Sequence, residues 1–289
     1  MNRWIRGIWA VLGMVVVLLR PAWANPEGTQ DIPLDEVPRA GLLPVDVALL
    51  ENPAYRWRHL RTAHFVLHYD QKMFAARVAR MGEQFYEAIS ADLPGLEDRV
   101  SPGLSHIFIF RDPRDWQAIV AGMPGVEPWA ASFVRGNVMM LQEVGRAPSE
   151  RMGVLAHEMT HLVFNRFLPV RLPLWLNEGL AEYYGEFAYR AARGLGWNPR
   201  ATFRRLPRRM PLERLLHAQT YPAAAGDIRL FYDTSQFLVG FLLIRYPREM
   251  WETFLQKVIA GDDALRALLE IYGWDDVAAL ERDFSRFAR

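Results

Sequence analysis

The residues best equipped for chemistry stand in five consecutive positions, His157-Glu158-Met159-Thr160-His161. Around them Met152, Leu155, Ala156, Met159, Leu162 and Val163 recur at steps of three and four, the period of a helix with one buried stripe. Ser149 and Glu150 suit its N-cap and first turn. Side chains four apart on a helix share a face, with Cβ atoms about 6 Å apart, so two imidazoles there converge on one cation. Glu158 lies on the adjacent ray and reaches a water on that cation without ligating it. The pattern H-E-x-x-H arises by chance in about one chain in a hundred of this length, so it needs support from elsewhere.

Support comes from Leu174-Trp175-Leu176-Asn177-Glu178-Gly179-Leu180-Ala181-Glu182-Tyr183-Tyr184, which reads as a second helix with Pro173 near its start. Sixteen residues separate His161 from Glu178, enough to end one helix, turn at Pro169–Pro173 and return antiparallel. Glu178 then faces the histidine pair. Two nitrogens, one carboxylate oxygen and a position left for water describe a catalytic zinc site rather than a closed structural one, with one Zn2+ per chain. Glu182, one turn later, is placed to accept a hydrogen bond from a ligand imidazole, or else is a plain solvated glutamate.

These two stretches resemble the gluzincin clan of zinc peptidases, especially the aminopeptidase N and thermolysin-like families. The likeness spans about residues 60–289 and is nearest to the peptidase-MA-like bacterial envelope proteins. It implies that the Glu178 of Asn-Glu-Gly is the third metal ligand, with Asn177 beside it supporting the site. In relatives of aminopeptidase N a tyrosine opens a helix downstream of that ligand and stabilises the transition-state oxyanion. Tyr232, in Phe231-Tyr232-Asp233-Thr234-Ser235-Gln236, is similar to it; the alternative is an ordinary core tyrosine. One departure matters. The Gly-Ala-Met-Glu-Asn element that grips a substrate's free amine has no counterpart, and Ala131–Met140 stands where it would fall. That segment suits an edge strand that pairs with an extended peptide, so an endopeptidase is expected rather than an aminopeptidase.

The elements that must position these residues are legible upstream. Phe65, Leu67 and Tyr69 alternate with His64, Val66 and His68, the period of a half-buried strand. Phe74, Val78, Met81, Phe85 and Ile89 follow at helical spacing to about residue 91. A loop marked by Pro94, Gly95, Pro102 and Gly103 leads to a buried strand at His106–Phe110, and a third strand is expected at Ala131–Gln142. A small mixed sheet with a helix over 61–148, then a helical half over 149–289, is an α+β layout. His59, His64, His68 and His106 read as hydrogen-bonded strand residues. His64 and His68 share a strand face, but a rise of about 3.3 Å per residue separates their Cα atoms by about 13 Å, too far for one ion.

Ahead of these lies a basic start (Arg3, Arg6), an apolar run from Gly7 to Leu19 and the small-x-small triplet Ala22-Trp23-Ala24. This describes a signal peptide cut after Ala24, and hence a periplasmic or secreted protein; the alternative is an uncleaved membrane anchor. Removing that segment takes away three arginines and no acid, so the formal charge moves from +1 to −2. A near-neutral body argues against nucleic-acid binding. Residues 25–60, with Pro26, Pro33, Pro38, Pro44 and Pro53, read as an extended surface leader with a short helix at Val45–Leu50. The chain has no cysteine, which excludes disulfides, thiolate metal sites and cysteine nucleophiles. Eight arginines against one acid in residues 190–214 suit contact with an anionic membrane surface, or a solvated basic loop.

The expectation is therefore a zinc peptidase that hydrolyses a peptide or protein substrate, in which Glu158 takes the proton of the attacking water and passes it to the leaving amine. A peptidase-like envelope factor that binds without cleaving, and zinc hydrolysis of a non-peptide bond, are the rivals. The oligomeric state is not written in the sequence.

Overall fold

The computed structural model describes residues 28–93, 103–123, 126, 130–143, 148–167 and 170–289. The segment expected to be a signal peptide, the Pro94–Pro102 part of the first loop and Pro169 lie outside the described residues.

In chain order the elements are β1 (Gln30–Ile32), α1 (Pro44–Leu50), β2 (Arg58–Arg61), β3 (Phe65–Tyr69), α2 (Lys72–Ala91), β4 (Ser105–Phe110), α3 (Pro113–Ala121), β5 (Ser132–Arg135) and β6 (Val138–Gln142). Helices follow: α4 (Pro148–Phe167), α5 (Leu174–Ala192), α6 (Pro199–Thr202), α7 (Leu212–Leu216), α8 (Ala225–Arg245), α9 (Arg248–Ile259), α10 (Ala264–Tyr272) and α11 (Val277–Phe287). The class is α+β. One sheet runs β1-β2-β3-β4-β6-β5. Its centre, β3-β4-β6, is parallel, and the two flanks are antiparallel. Among the described residues no helix is long and apolar enough to cross a membrane.

Strand periodicity divides the core in two. Phe65, Leu67, Ile107, Ile109, Met139 and Leu141 face a large core built with α2, α4, α5 and α8. The intervening Val66, Phe108, Phe110, Val138 and Met140 face a second core. Every residue of β3 is buried, so it is not the half-buried strand that its alternation suggested. The reason lies in the leader. Ile32, Val37, Leu49 and Leu50 fold back over the second face, and Trp116 and Val120 of α3 complete the cover. Residues 25–60 are thus less a surface wrap than expected: they supply β1, α1 and part of β2, and the sheet begins well before residue 61. The short helix itself is found, starting one residue early at Pro44.

The third expected strand is a hairpin. Val134 pairs with Met139 and Arg135 with Val138, and Gly136 takes the left-handed φ of +56° that the turn requires. β5 pairs with β6 alone and forms one edge of the sheet. The helix carrying the histidines starts at Pro148, so Ser149 sits inside its first turn rather than at the cap. Its stripe is otherwise as the spacing indicated. Leu155, Ala156, Met159, Leu162 and Val163 are fully buried and Met152 is half-buried.

Candidate metal centre

Helices α4 and α5 run antiparallel. Glu178 meets both His157 and His161, whereas Gly185, seven residues on, meets the backbone of His157. The approach at that second point is close: a Cβ on Gly185 would stand 3.1 Å from the His157 nitrogen. α8 packs on another face of α5 and closer still, since a Cβ on Gly179 would fall 2.6 Å from the Ser235 carbonyl oxygen. Two small residues thus let three helices converge behind one cluster of polar side chains.

The cluster is compact. His157 Nε2 and His161 Nε2 are 3.1 Å apart, and Glu178 Oε2 lies 3.4 Å from the first and 3.5 Å from the second. A tetrahedron with bonds of about 2.0–2.1 Å, as zinc prefers, has edges of about 3.3–3.4 Å. The three donor atoms therefore match three corners of such a polyhedron, and they form a group able to hold a metal ion.

Two of the three donors, those of His157 and Glu178, are oriented from outside. His157 Nδ1 lies 3.3 Å from Glu182 Oε1, the partner expected for Glu182, which turns Nε2 toward the cluster. Glu178 is buried, and its second oxygen accepts from Asn177 Nδ2 at 3.0 Å and from the Tyr221 hydroxyl at 2.9 Å. Gln236 of α8 donates to the Glu182 carbonyl at 3.0 Å and ties α8 to the same turn of α5.

Charge follows from this crowding. Burial pushes the Glu178 carboxyl up, but His161 and His157 outweigh it and hold the group well below the ordinary carboxylate range. Burial pulls the His157 imidazole down, and Glu178, Glu182 and Glu158 overcome that and hold it well above its ordinary value. Three carboxylates around two imidazoles make a place that favours positive charge. Burial, then the charge of Glu178, raises both the Tyr221 and Tyr232 hydroxyls, so both remain proton donors at neutral pH.

The cluster lies in a cleft of about 1090 Å³. His157, Glu158, His161, Asn177, Glu178, Glu182 and Tyr232 all line it, so every residue singled out in the sequence is brought to one place. Tyr232 differs in one respect: it does not open its helix but stands in the third turn of α8, with its ring 6.1 Å from that of His157. Edge strand β5 forms the opposite wall, and Ser132 Oγ donates to Glu158 Oε1 at 2.8 Å. Tyr221, stacked on Tyr232 at 6.0 Å, and Ser132 were not foreseen.

Three of the eight arginines in the arginine-rich segment pair with acids from outside it. Arg190 pairs with Glu186, Arg214 with Asp227 and Arg209 with Glu281, and Arg193 donates to the Tyr189 hydroxyl. Arg200, Arg204, Arg205 and Arg208 are exposed and make no ion pair among the described residues.

No protein-family model matches the chain, and no curated protein matches it.

Proposed function

We propose that the chain is a zinc-dependent peptidase of gluzincin type, exported from the cytoplasm, that cleaves within extended peptide or protein segments. The single observation that carries the reading is the equilateral set of His157 Nε2, His161 Nε2 and Glu178 Oε2, with spacings of 3.1–3.5 Å, opening on a cleft. His157, His161 and Glu178 would hold the ion, which when bound supplies a water acidified toward neutrality and a Lewis acid for a carbonyl.

The chain's own groups do the rest. Glu158 is beside His157 in sequence, lines the same cleft and ligates nothing, so its carboxylate is the group to take the water's proton and deliver it to the leaving nitrogen. The Tyr232 hydroxyl, kept protonated by burial and by Glu178, is the donor available to oxygen that becomes negative during attack. The open edge of β5 offers backbone groups to an extended substrate at the cleft wall. Nothing acidic of the Gly-Ala-Met-Glu-Asn kind stands on that strand to receive a free amine, which supports internal cleavage.

The test uses the full chain and Glu158→Gln. The wild type should bind one zinc and cleave unfolded proteins internally, as product mass spectrometry would read. The variant should bind zinc equally and lose about 10²–10⁴ in turnover. Equal cleavage by the two proteins would remove Glu158 from its role, and a wild type that binds zinc without cleaving anything would favour the binding factor.

A further inference from the structure

We propose that Ser132 is the positioning residue of the general base, so that one strand sets both the substrate's register and the direction of the Glu158 carboxylate. This rests on the peptidase reading above. Four carboxylates line the cleft, and each has its own fastening; that of Glu186 is Arg190. Glu178 is held by Asn177 and Tyr221, and Glu182 stands against His157. Glu158 has one hydrogen-bond partner among the described residues, the Ser132 hydroxyl. A glutamate on a helix has several rotamers open to it, and one directed donor on a rigid strand selects among them.

Strand parity makes the contact specific. On β5, Phe133 turns to the second core, where its ring lies 5.8 Å from that of Trp116, and Val134 turns to the first. Ser132, two positions from Val134, therefore points at α4, and the pairing of Ser132 with Leu141 fixes its height. A slip of one residue would put Phe133 against Glu158. The far end of the hairpin is pinned separately, because Asn165 Nδ2 of α4 donates to the Gly136 carbonyl at 2.9 Å. With the hairpin already anchored there and by Phe133, the Ser132 hydroxyl is free of any need to hold the strand. Its single proton goes to the carboxylate.

The mechanical consequence concerns the substrate. A peptide paired along the open edge of β5 would use the main chain of the strand whose side chain aims Glu158. The scissile carbonyl and the base then share a frame of reference. A misplacement of about 1 Å between such groups costs up to about 10²-fold in rate.

The experiment compares zinc-loaded wild type, Ser132→Ala and Ser132→Thr, together with crystal structures of the three metal-free proteins. Ser132→Ala should keep its zinc and its KM within about twofold and lose about 10- to 100-fold in kcat. Ser132→Thr, which keeps the hydroxyl, should recover most of that. In the metal-free crystals Glu158 should hold one rotamer in wild type and Ser132→Thr and leave it in Ser132→Ala. The proposal is overturned if Glu158 keeps its rotamer in Ser132→Ala, or if an active wild type and Ser132→Ala share the same kcat. A wild type without peptidase activity, with Glu158 still displaced in Ser132→Ala, would sink the peptidase reading and leave the positioning intact.

Discussion

Gly179 lies so close to Ser235 that an added Cβ would sit 2.6 Å from the Ser235 carbonyl oxygen and 2.8 Å from Val239 Cγ2. Glu178, the residue before Gly179 and the third donor of the cluster, owes its position to this contact. Main-chain oxygen cannot step aside as a side chain can, so Gly179→Ala must push α5 and α8 apart. The expected loss of stability is about 1–3 kcal/mol, with a weakened metal site because Glu178 moves with its helix. Gly226→Ala provides the comparison. Nothing lies within 4 Å of its added Cβ, and helix propensity favours alanine by about 0.5–1 kcal/mol. Thermal melts should move down for the first and hold or rise for the second; a neutral Gly179→Ala would contradict the packing.

Metal binding should be visible without any substrate. A ligand that binds only the folded chain stabilises it by about 4 kcal/mol at a thousandfold excess over its Kd. Zinc should therefore raise the melting temperature of the chelator-treated wild type by several degrees. His161→Ala and Glu178→Ala each remove one of the three donors and should abolish most of that rise. An undiminished zinc shift in both variants would place the ion elsewhere.

The two stacked tyrosines should separate by phenotype. Tyr221 donates to the Glu178 carboxylate, so Tyr221→Phe should weaken zinc about 10- to 100-fold. Tyr232 faces the cleft beside His157, so Tyr232→Phe should retain zinc and lose about 10²–10³ in kcat. Zinc titration and steady-state kinetics on both variants decide the matter. Identical profiles would show that the pair acts only as one packing unit.

What the sequence made legible is what helical spacing encodes. His157 and His161 share a face because they are four apart, and Glu182 reaches His157 because it follows Glu178 by one turn of the same helix. Tyr221 escaped because it lies in the irregular stretch between α7 and α8, where no period marks a side chain as inward. Ser132 escapes for a different reason: its contact with Glu158 depends on hairpin register, and the alternation over 131–142 does not reveal the turn that divides it into two strands. β1 spans three residues, too few for alternation to register, and the prolines around it suggested coil. The histidines of the sheet show the same limit. Along one strand His64 and His68 stand too far apart to share an ion, whereas the close partners of His68 lie on neighbouring strands.

Those partners make the final prediction. His59, His68 and His106 cross β2, β3 and β4 on the face away from the cleft, with His59 Nδ1 2.9 Å from His68 Nδ1 and His68 Nε2 3.0 Å from His106 Nδ1. His106 Nε2 is buried without a partner among the described residues. Burial lowers His59, burial and then the two neighbouring rings lower His68 far, and burial pushes His106 down to about 4. The row is therefore neutral in the folded chain, while the same side chains titrate near 6.5 when unfolded. On acidification the unfolded state takes up protons first, so the contribution of this row to stability is full above about pH 6.5 and is lost progressively as the pH falls toward 4. His106 alone accounts for about 3 kcal/mol across that window, and about 2 kcal/mol of it by pH 5. Urea unfolding of metal-free wild type and His106→Gln at pH 7 and pH 5 isolates the share of His106, because the opposing contribution of His157, held above its ordinary value by the carboxylates around it, is common to both. If His106→Gln and wild type lose the same stability over this range, His106 is not held neutral by the fold.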